Sequence, residues 1–541
     1  MSTTPEKHTG SPVAEKELSE KGTGYKNTEA GLADIRTSAL ASNDTLYSAD
    51  DLGGDEVYLA KIRLFNQALT EGGFGWYQIK LFCLTGLGYA ADNAFPVLTS
   101  LILTPIAFEF SPASPAYLTL AQNLGLLVGA FVFSLSSDIF GRKLIFNLTL
   151  GVAGIFVLVA GSSPNFTAAA FFAALWSVGV GGNIAVDSAC FIEVCPASHQ
   201  WLLTVLTGWW AAGQILVTGI AWALVPPRSC ESAEDCPRSS NQGWRNLCFT
   251  MGAIFVAFWA LRFFAMNFYE SPKYLIGKGR DEEAIANWHA ICKVNKRETS
   301  LTLEHLREID AKFGVDYDAR KTENDRKKSV QEHFGKFSLE HIKGLFVTKK
   351  MAWATSVLLI VWAIIGLAFP LYNAFLPYYL RTRVTDGDSS TYRAYRDSLI
   401  IAVVGFPASI IGGLLVRLPR LGRRGTLAIS TVLTGVFILC STTSKTSNAL
   451  LGWNCGYSFT SGILYAVLYG LAPEVFPSKH RGTGNGLVAT ANRVFGVLAP
   501  AIVISGGITT SVPIWIAGAL FIAGGLFSLL LPFDTVGKAS V

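Results

Sequence analysis

From about Tyr77 onward, some twelve apolar segments recur along this chain, each long enough to cross roughly 30 Å of hydrocarbon and separated by short polar loops. That pattern requires a membrane protein whose spans are helices, because lipid leaves each segment to satisfy its own backbone. The approximate spans are 77–104, 115–137, 144–163, 167–193, 201–226, 246–269, 352–376, 396–417, 426–444, 447–473, 485–508 and 512–532. Half of the residues are hydrophobic, 15% are charged and the mean hydropathy is +0.38, as a polytopic chain demands. The net charge of +5 is gathered in a few stretches and gives no reason to expect nucleic-acid binding.

Residues 1–75 are rich in Ser, Thr, Glu, Lys and Gly, and read as a disordered cytosolic tail rather than a signal or transit sequence. Two six-span halves follow, 76–270 and 351–533, and residues 534–541 form a short cytosolic tail. Between the halves, 271–350 is a charged cytosolic loop with helical periodicity in its first part and a basic run, "ENDRKK". Lys and Arg gather in the loops "GRK", "RLPRLGRRG" and "SKHRG" and in the central loop, which places those on the cytosolic side with both termini. The loops at 105–114, 162–166 and 507–511 contain no Lys or Arg and fall outside.

The halves repeat. After the second span of each comes "DIFGRK" or "PRLGRR", and after the fourth comes "EVCPASHQ" or "EVFPSKHR". Gly141 is 52 residues before Glu193, and Gly422 is 52 before Glu474, so one offset of 281 aligns both pairs. Parallel six-helix repeats related by an axis along the membrane normal give that pattern. The same offset sets Asp92, in "DNAFP", on Asn373, in "YNAFLP".

These loops, with "ESPKYL" after the sixth span and "PEVFPSKHRGTGNG", resemble the major facilitator superfamily over nearly the whole chain beyond the tail. Within it, "GGNIAVDSACFIEVCP" and "TANRVFGVLAP" resemble the branch that holds organic-ion transporters, synaptic-vesicle-glycoprotein-2-like proteins and their fungal relatives, on the sugar-porter side. The resemblance implies an all-α fold of twelve transmembrane helices and secondary transport by alternating access. Pro419 stands where the first copy has Asp138, and the first-span pattern typical of hexose carriers is missing, which argues against a plain sugar.

Asp138, Gly141, Arg142, Lys143 and Glu193 in the first half, with Arg423, Arg424, Glu474 and Arg481 in the second, form candidate conformational latches whose ion pairs break in one state. Positive-inside topology alone would also place those cations there. Asp92, near the middle of the first span, must face a wet cavity or a partner, since an ionised carboxylate in hydrocarbon costs several kcal/mol. Such a group suits proton coupling, and Asp187 in the fourth span is the second candidate, although it could instead pair with Arg262. Arg493 in the eleventh span cannot shed its charge and needs an anion, either Asp92, Asp187 or a substrate carboxylate. In the branch this region resembles, an arginine in the corresponding motif goes with anionic substrates. Asn93, Gln214 and Asn373 are further candidate substrate contacts.

Among nine cysteines only Cys230 and Cys236, in the outside loop "RSCESAEDCPRSS", are placed to pair; the others are not spaced for a metal. No cofactor, phosphate-loop consensus or nucleophile–base group is expected, so the chain reads as no enzyme. The expected function is proton-coupled transport of a small organic solute, an organic anion or carboxylate, by a monomer in the plasma membrane. Sugar or organic-cation transport, drug or metabolite export, and a transporter-like receptor without net transport remain the alternatives.

Overall fold

The computed structural model describes residues 56–140, 142–199, 202–231, 236–265, 267–314, 343, 345–376, 390–418, 420–476, 481–506 and 510–532. Eleven of its helices are long and apolar enough to cross a membrane: Trp76–Phe110, Ala116–Phe133, Arg142–Ala160, Phe166–Val194, Leu202–Leu224, Gly243–Phe264, Lys349–Asn373, Thr391–Val416, Gly422–Ser441, Ser447–Ala472 and Thr483–Ser505. The shorter apolar helix Val512–Ser528 completes twelve, and no strand occurs among the described residues.

Small residues let neighbouring helices touch. On the second span, a Cβ added to Gly125 would lie 2.1 Å from the Ala174 carbonyl oxygen, and one on Gly129 equally close to that of Val178. Glycine one turn apart thus brings the second and fourth spans into backbone contact, the packing that replaces hydrophobic driving force in lipid. The two halves meet where the second span packs on the eleventh and the fifth on the eighth.

Three spans are broken near this interface. The fourth turns at Gly182 between Phe166–Gly181 and Asn183–Val194. In the fifth, Leu202–Leu206 and Gly208–Leu224 meet at Thr207, whose hydroxyl bonds the Thr204 carbonyl at 2.6 Å, a back-bond that bends helices. Pro407 divides the eighth into Thr391–Gly405 and Ala408–Val416, because it cannot donate to the ladder.

At one end of the bundle the helix Glu56–Gly72 packs against Pro272–Gly277 and Leu303–Lys312, and through Phe65 against Trp288 of Asp281–Val294, with ring centroids 5.3 Å apart. It corrects the expectation of a structureless tail through residue 75. Ile62, Phe65, Ala68 and Leu69 follow helical spacing and are buried, a short stripe that the polar composition of the preceding residues obscures. Lys61, also buried, donates to Asp281 at 2.5 Å and to Asp310 at 2.6 Å.

Candidate substrate cavity and latches

Asp92 is carried to mid-membrane by the first span and is 2% exposed. Its Oδ1 accepts from Arg493 Nη2 of the eleventh span at 3.1 Å, and its Oδ2 accepts from Trp210 Nε1 of the fifth at 3.0 Å. One carboxylate therefore ties three spans and both halves. Arg493 keeps 18% of its side chain exposed, which leaves part of its five-donor fork for another acceptor.

This pair lines a cavity walled also by Asn123 of the second span, Asn492 of the eleventh, Phe369 and Asn373 of the seventh, and Tyr465 and Tyr469 of the tenth. Asn93, one residue past Asp92, donates to Gln214 Oε1 at 3.2 Å and to the Trp210 carbonyl at 3.0 Å. Asp92, Asn93, Arg493 and Asn373 thus share one cavity, and Gln214 lines the chamber beside it. Trp210, Tyr465 and Tyr469, which also line the shared cavity, are not among the contacts named from the sequence. The signal was there in "YAVLYG", which sets two tyrosines one helical turn apart.

Asp187 lies elsewhere. Its Oδ2 accepts from Arg262 Nη2 at 2.9 Å with both side chains fully buried, and Arg262 also donates to the Phe146 carbonyl at 2.6 Å and covers its ring at 4.0 Å. Arg262 therefore points into the protein interior, paired with Asp187. The first span closes over the pair at Gly88, where an added Cβ would fall 1.7 Å from Asp187 Oδ2.

At the same end of the bundle as the central loop, Arg142 pairs with Glu193 and Arg423 with Glu474, two ion pairs related by the 281-residue offset. The copies differ in what surrounds them. Backbone amides of Arg142 and Lys143 donate to the two Glu270 oxygens at 3.2 and 3.3 Å, so Glu270, from the "ESPKYL" stretch, caps the third span, a role the sequence did not reveal. Arg423 instead reaches Thr204 Oγ1 of the other half at 3.5 Å, and a Cβ on Gly470 would meet both groups within about 3 Å. Arg424 starts the ninth span beside Arg423. Gly141 and the side chains of Asp138 and Arg481 lie outside the described residues. Cys230 and Cys236 are joined in a disulfide after the fifth span. No group of three or more His, Cys, Asp or Glu is arranged for a metal among the described residues.

The family described as sugar (and other) transporter matches residues 111–539. A protein of Schizosaccharomyces pombe named an uncharacterized MFS-type transporter is 47% identical over 524 residues, covering 94% of each chain. One of Ceriporiopsis subvermispora named MFS siderochrome iron transporter 1 is 49% identical over 489 residues, 90% of this chain and 93% of that one. In structure, the proton:xylose symporter XylE bound to 6-bromo-6-deoxy-D-glucose superposes with a TM-score of 0.62 over 86% of this chain and 98% of its own, at 16% identity, a likeness of fold alone. A twelve-helix scaffold with two offset-related ion pairs and an extended family match makes the chain a multi-pass membrane transporter that belongs to the sugar (and other) transporter family of the major facilitator superfamily.

Proposed function

We propose that the protein moves a small organic anion together with a proton by alternating access, in the plasma membrane with both termini cytosolic. The observation that carries this reading is the Asp92–Arg493 pair, set across the two halves in the wall of the cavity. Arg493 balances one anion. When a solute carboxylate takes its guanidinium, Asp92 would be left as an uncompensated buried charge, at a cost of several kcal/mol, unless it takes up a proton. One proton therefore enters with each monoanion, and its transfer to Asp92 releases the contact that holds first and eleventh spans together. Asp187 has a cation of its own in Arg262, and we read it as a structural pair.

The latches fit the same cycle. With Arg423 bridging Glu474 and Thr204, the cytosolic mouth is held closed; opening it breaks that contact.

Proteoliposome uptake of a mixed panel of organic acids, sugars and organic cations, with and without an inward proton gradient, tests the reading. Gradient-driven accumulation of an acid that Asp92→Asn reduces to exchange is the expected result. Undiminished proton-driven accumulation by Asp92→Asn would overturn it. A second reading, an iron siderochrome as solute, rests on the name of the relative at 49% identity; uptake of radioactive iron as a siderophore chelate, set against the acid panel, separates the two.

A further inference from the structure

Beside the Asp92–Arg493 cavity lies a second chamber, formed mainly by the fifth, seventh, eighth and tenth spans. The two share Asn93, Trp210, Phe369, Asn373 and Tyr465 as walls. Their chemistry differs sharply. No Lys, Arg, Asp or Glu lines the second chamber among the described residues, whereas the hydroxyls of Thr207, Ser409, Tyr457, Ser458 and Ser461 do.

Two of these hydroxyls are unusual. Thr207 bonds the Thr204 carbonyl and Ser461 that of Ser458, as hydroxyls in spans commonly do. Tyr457 Oη and Ser409 Oγ are buried, with their residues only 3% and 5% exposed, and have no hydrogen-bond partner. A buried hydroxyl without a partner is costly, and groups left so at a cavity wall are where a ligand completes the bonding. The remaining wall is aromatic: Trp210, Phe369 and Tyr465 have ring centroids 4.9 to 6.3 Å from one another, a surface against which a flat ring can stack.

We propose that this chamber receives the uncharged part of the solute and thereby selects a planar aromatic or heteroaromatic monocarboxylate that carries a hydrogen-bonding atom away from its carboxylate. The assignment rests on the proton–anion reading. Arg493 is the one cation among the described residues lining either cavity, and it neutralises one carboxylate. A second carboxylate would enter the uncharged chamber with nothing to balance it, so di- and tricarboxylates are excluded by charge rather than by size. Ser409 and Tyr457 bond the polar atom on the ring, and they come from the eighth and tenth spans, so the solute engages the second half while its carboxylate sits at the junction.

The test is initial-rate uptake by the full-length protein in proteoliposomes, under an inward proton gradient, of benzoate, 4-hydroxybenzoate, a pyridine monocarboxylate, succinate and citrate, for the wild type, Tyr457→Phe and Ser409→Ala. The expected result is uptake of the aromatic monocarboxylates, no uptake or competition by succinate and citrate, and in each variant a KM for 4-hydroxybenzoate that rises about tenfold more than that for benzoate, the loss of one buried hydrogen bond. Succinate or citrate moving as well as benzoate, with Asp92→Asn still uncoupled, would overturn the chamber's role and leave proton–anion symport standing. Equal shifts for both aromatic probes in both variants would likewise overturn it. If none of these anions moves under a gradient while a sugar or organic cation added to the same assay does, the transport reading and this inference fall together.

Discussion

Arg493 Nη2 stands 3.1 Å from Asp92 Oδ1, with the cation on the eleventh span and the acid on the first. Because the pair is neutral and remains neutral when a proton and a monoanion replace it, the proposed cycle carries no net charge inward. One uncompensated charge crossing 100 mV would be worth about 2.3 kcal/mol. Initial uptake by the wild type is therefore expected to change less than about twofold under a potassium diffusion potential of either sign, and to rise several-fold with an inward pH gradient. A strong response to potential would show that charge moves.

Arg423 and Arg142 hold equivalent places in the two halves, yet only the former is bonded to the opposite half, at Thr204. Arg423→Ala is expected to destabilise the cytosol-closed state by about 1–3 kcal/mol, a discounted share of the cost of breaking a buried pair, and Arg142→Ala by less. A membrane-impermeant maleimide applied from the cytosolic face to an Ala211→Cys reporter should label faster with Arg423→Ala. The charge-swapped Arg423→Glu with Glu474→Arg should slow it again. Equal labelling in both single variants would mean that the latches are equivalent.

Asp187 and Arg262 are fully buried, so removing one leaves the other uncompensated. Asp187→Asn is expected to cost about 3–5 kcal/mol and to lower the thermal unfolding midpoint, whereas Asp187→Asn with Arg262→Met recovers most of it. A well-folded Asp187→Asn protein that had lost proton coupling would move that role from Asp92 to Asp187.

Lys61 sits between Asp281 and Asp310, and Lys61→Met would leave two buried carboxylates facing each other. Detachment of the Glu56–Gly72 helix is the expected outcome, read as protease cleavage there at concentrations that leave the wild type intact. Adding Asp310→Asn should restore part of the protection.

Cys292, on the helix Asp281–Val294 between the two halves, has its thiol pushed up to about 11 by burial, against a smaller opposing pull from Arg297. A raised value means less thiolate at any given pH below it: about one part in a thousand at pH 8. Alkylation at Cys292, followed by peptide mass spectrometry, is thus expected to be slow at neutral pH and to climb about tenfold per pH unit towards 10. Rapid labelling at pH 7 would mean the helix opens.

Much of the site is legible in the chain because charge is so rare in it. An offset of 281 residues predicts that Arg142 and Glu193 have counterparts in Arg423 and Glu474, and the ion pairs are found at those positions. Asp92 and Arg493 each need a partner in hydrocarbon, and each other was among the few on offer. Trp210, Ser409 and Tyr457 carry no such signal, since an aromatic or a hydroxyl is compatible with lipid, with a helix interface or with a cavity, and only the fold decides which. Arg262 was ambiguous for another reason: near the end of a span it can reach water or turn inward, and Asp187 draws it inward. The Glu56–Gly72 helix escaped notice because its apolar stripe is brief and its decisive residue, Lys61, looks like a solvated charge until two acids from more than two hundred residues away enclose it.

The separation of 401 positions from Asp92 to Arg493 also has a meaning in time. At about 5–20 residues per second, the acid enters the bilayer some 20–80 s before its cation is synthesised, whereas Asp187 waits only about 4–15 s for Arg262, 75 residues on. During synthesis the first half therefore holds Asp92 with the Trp210 indole as its partner but without its cation, which only the eleventh span brings, and a chain truncated before that span would lack it.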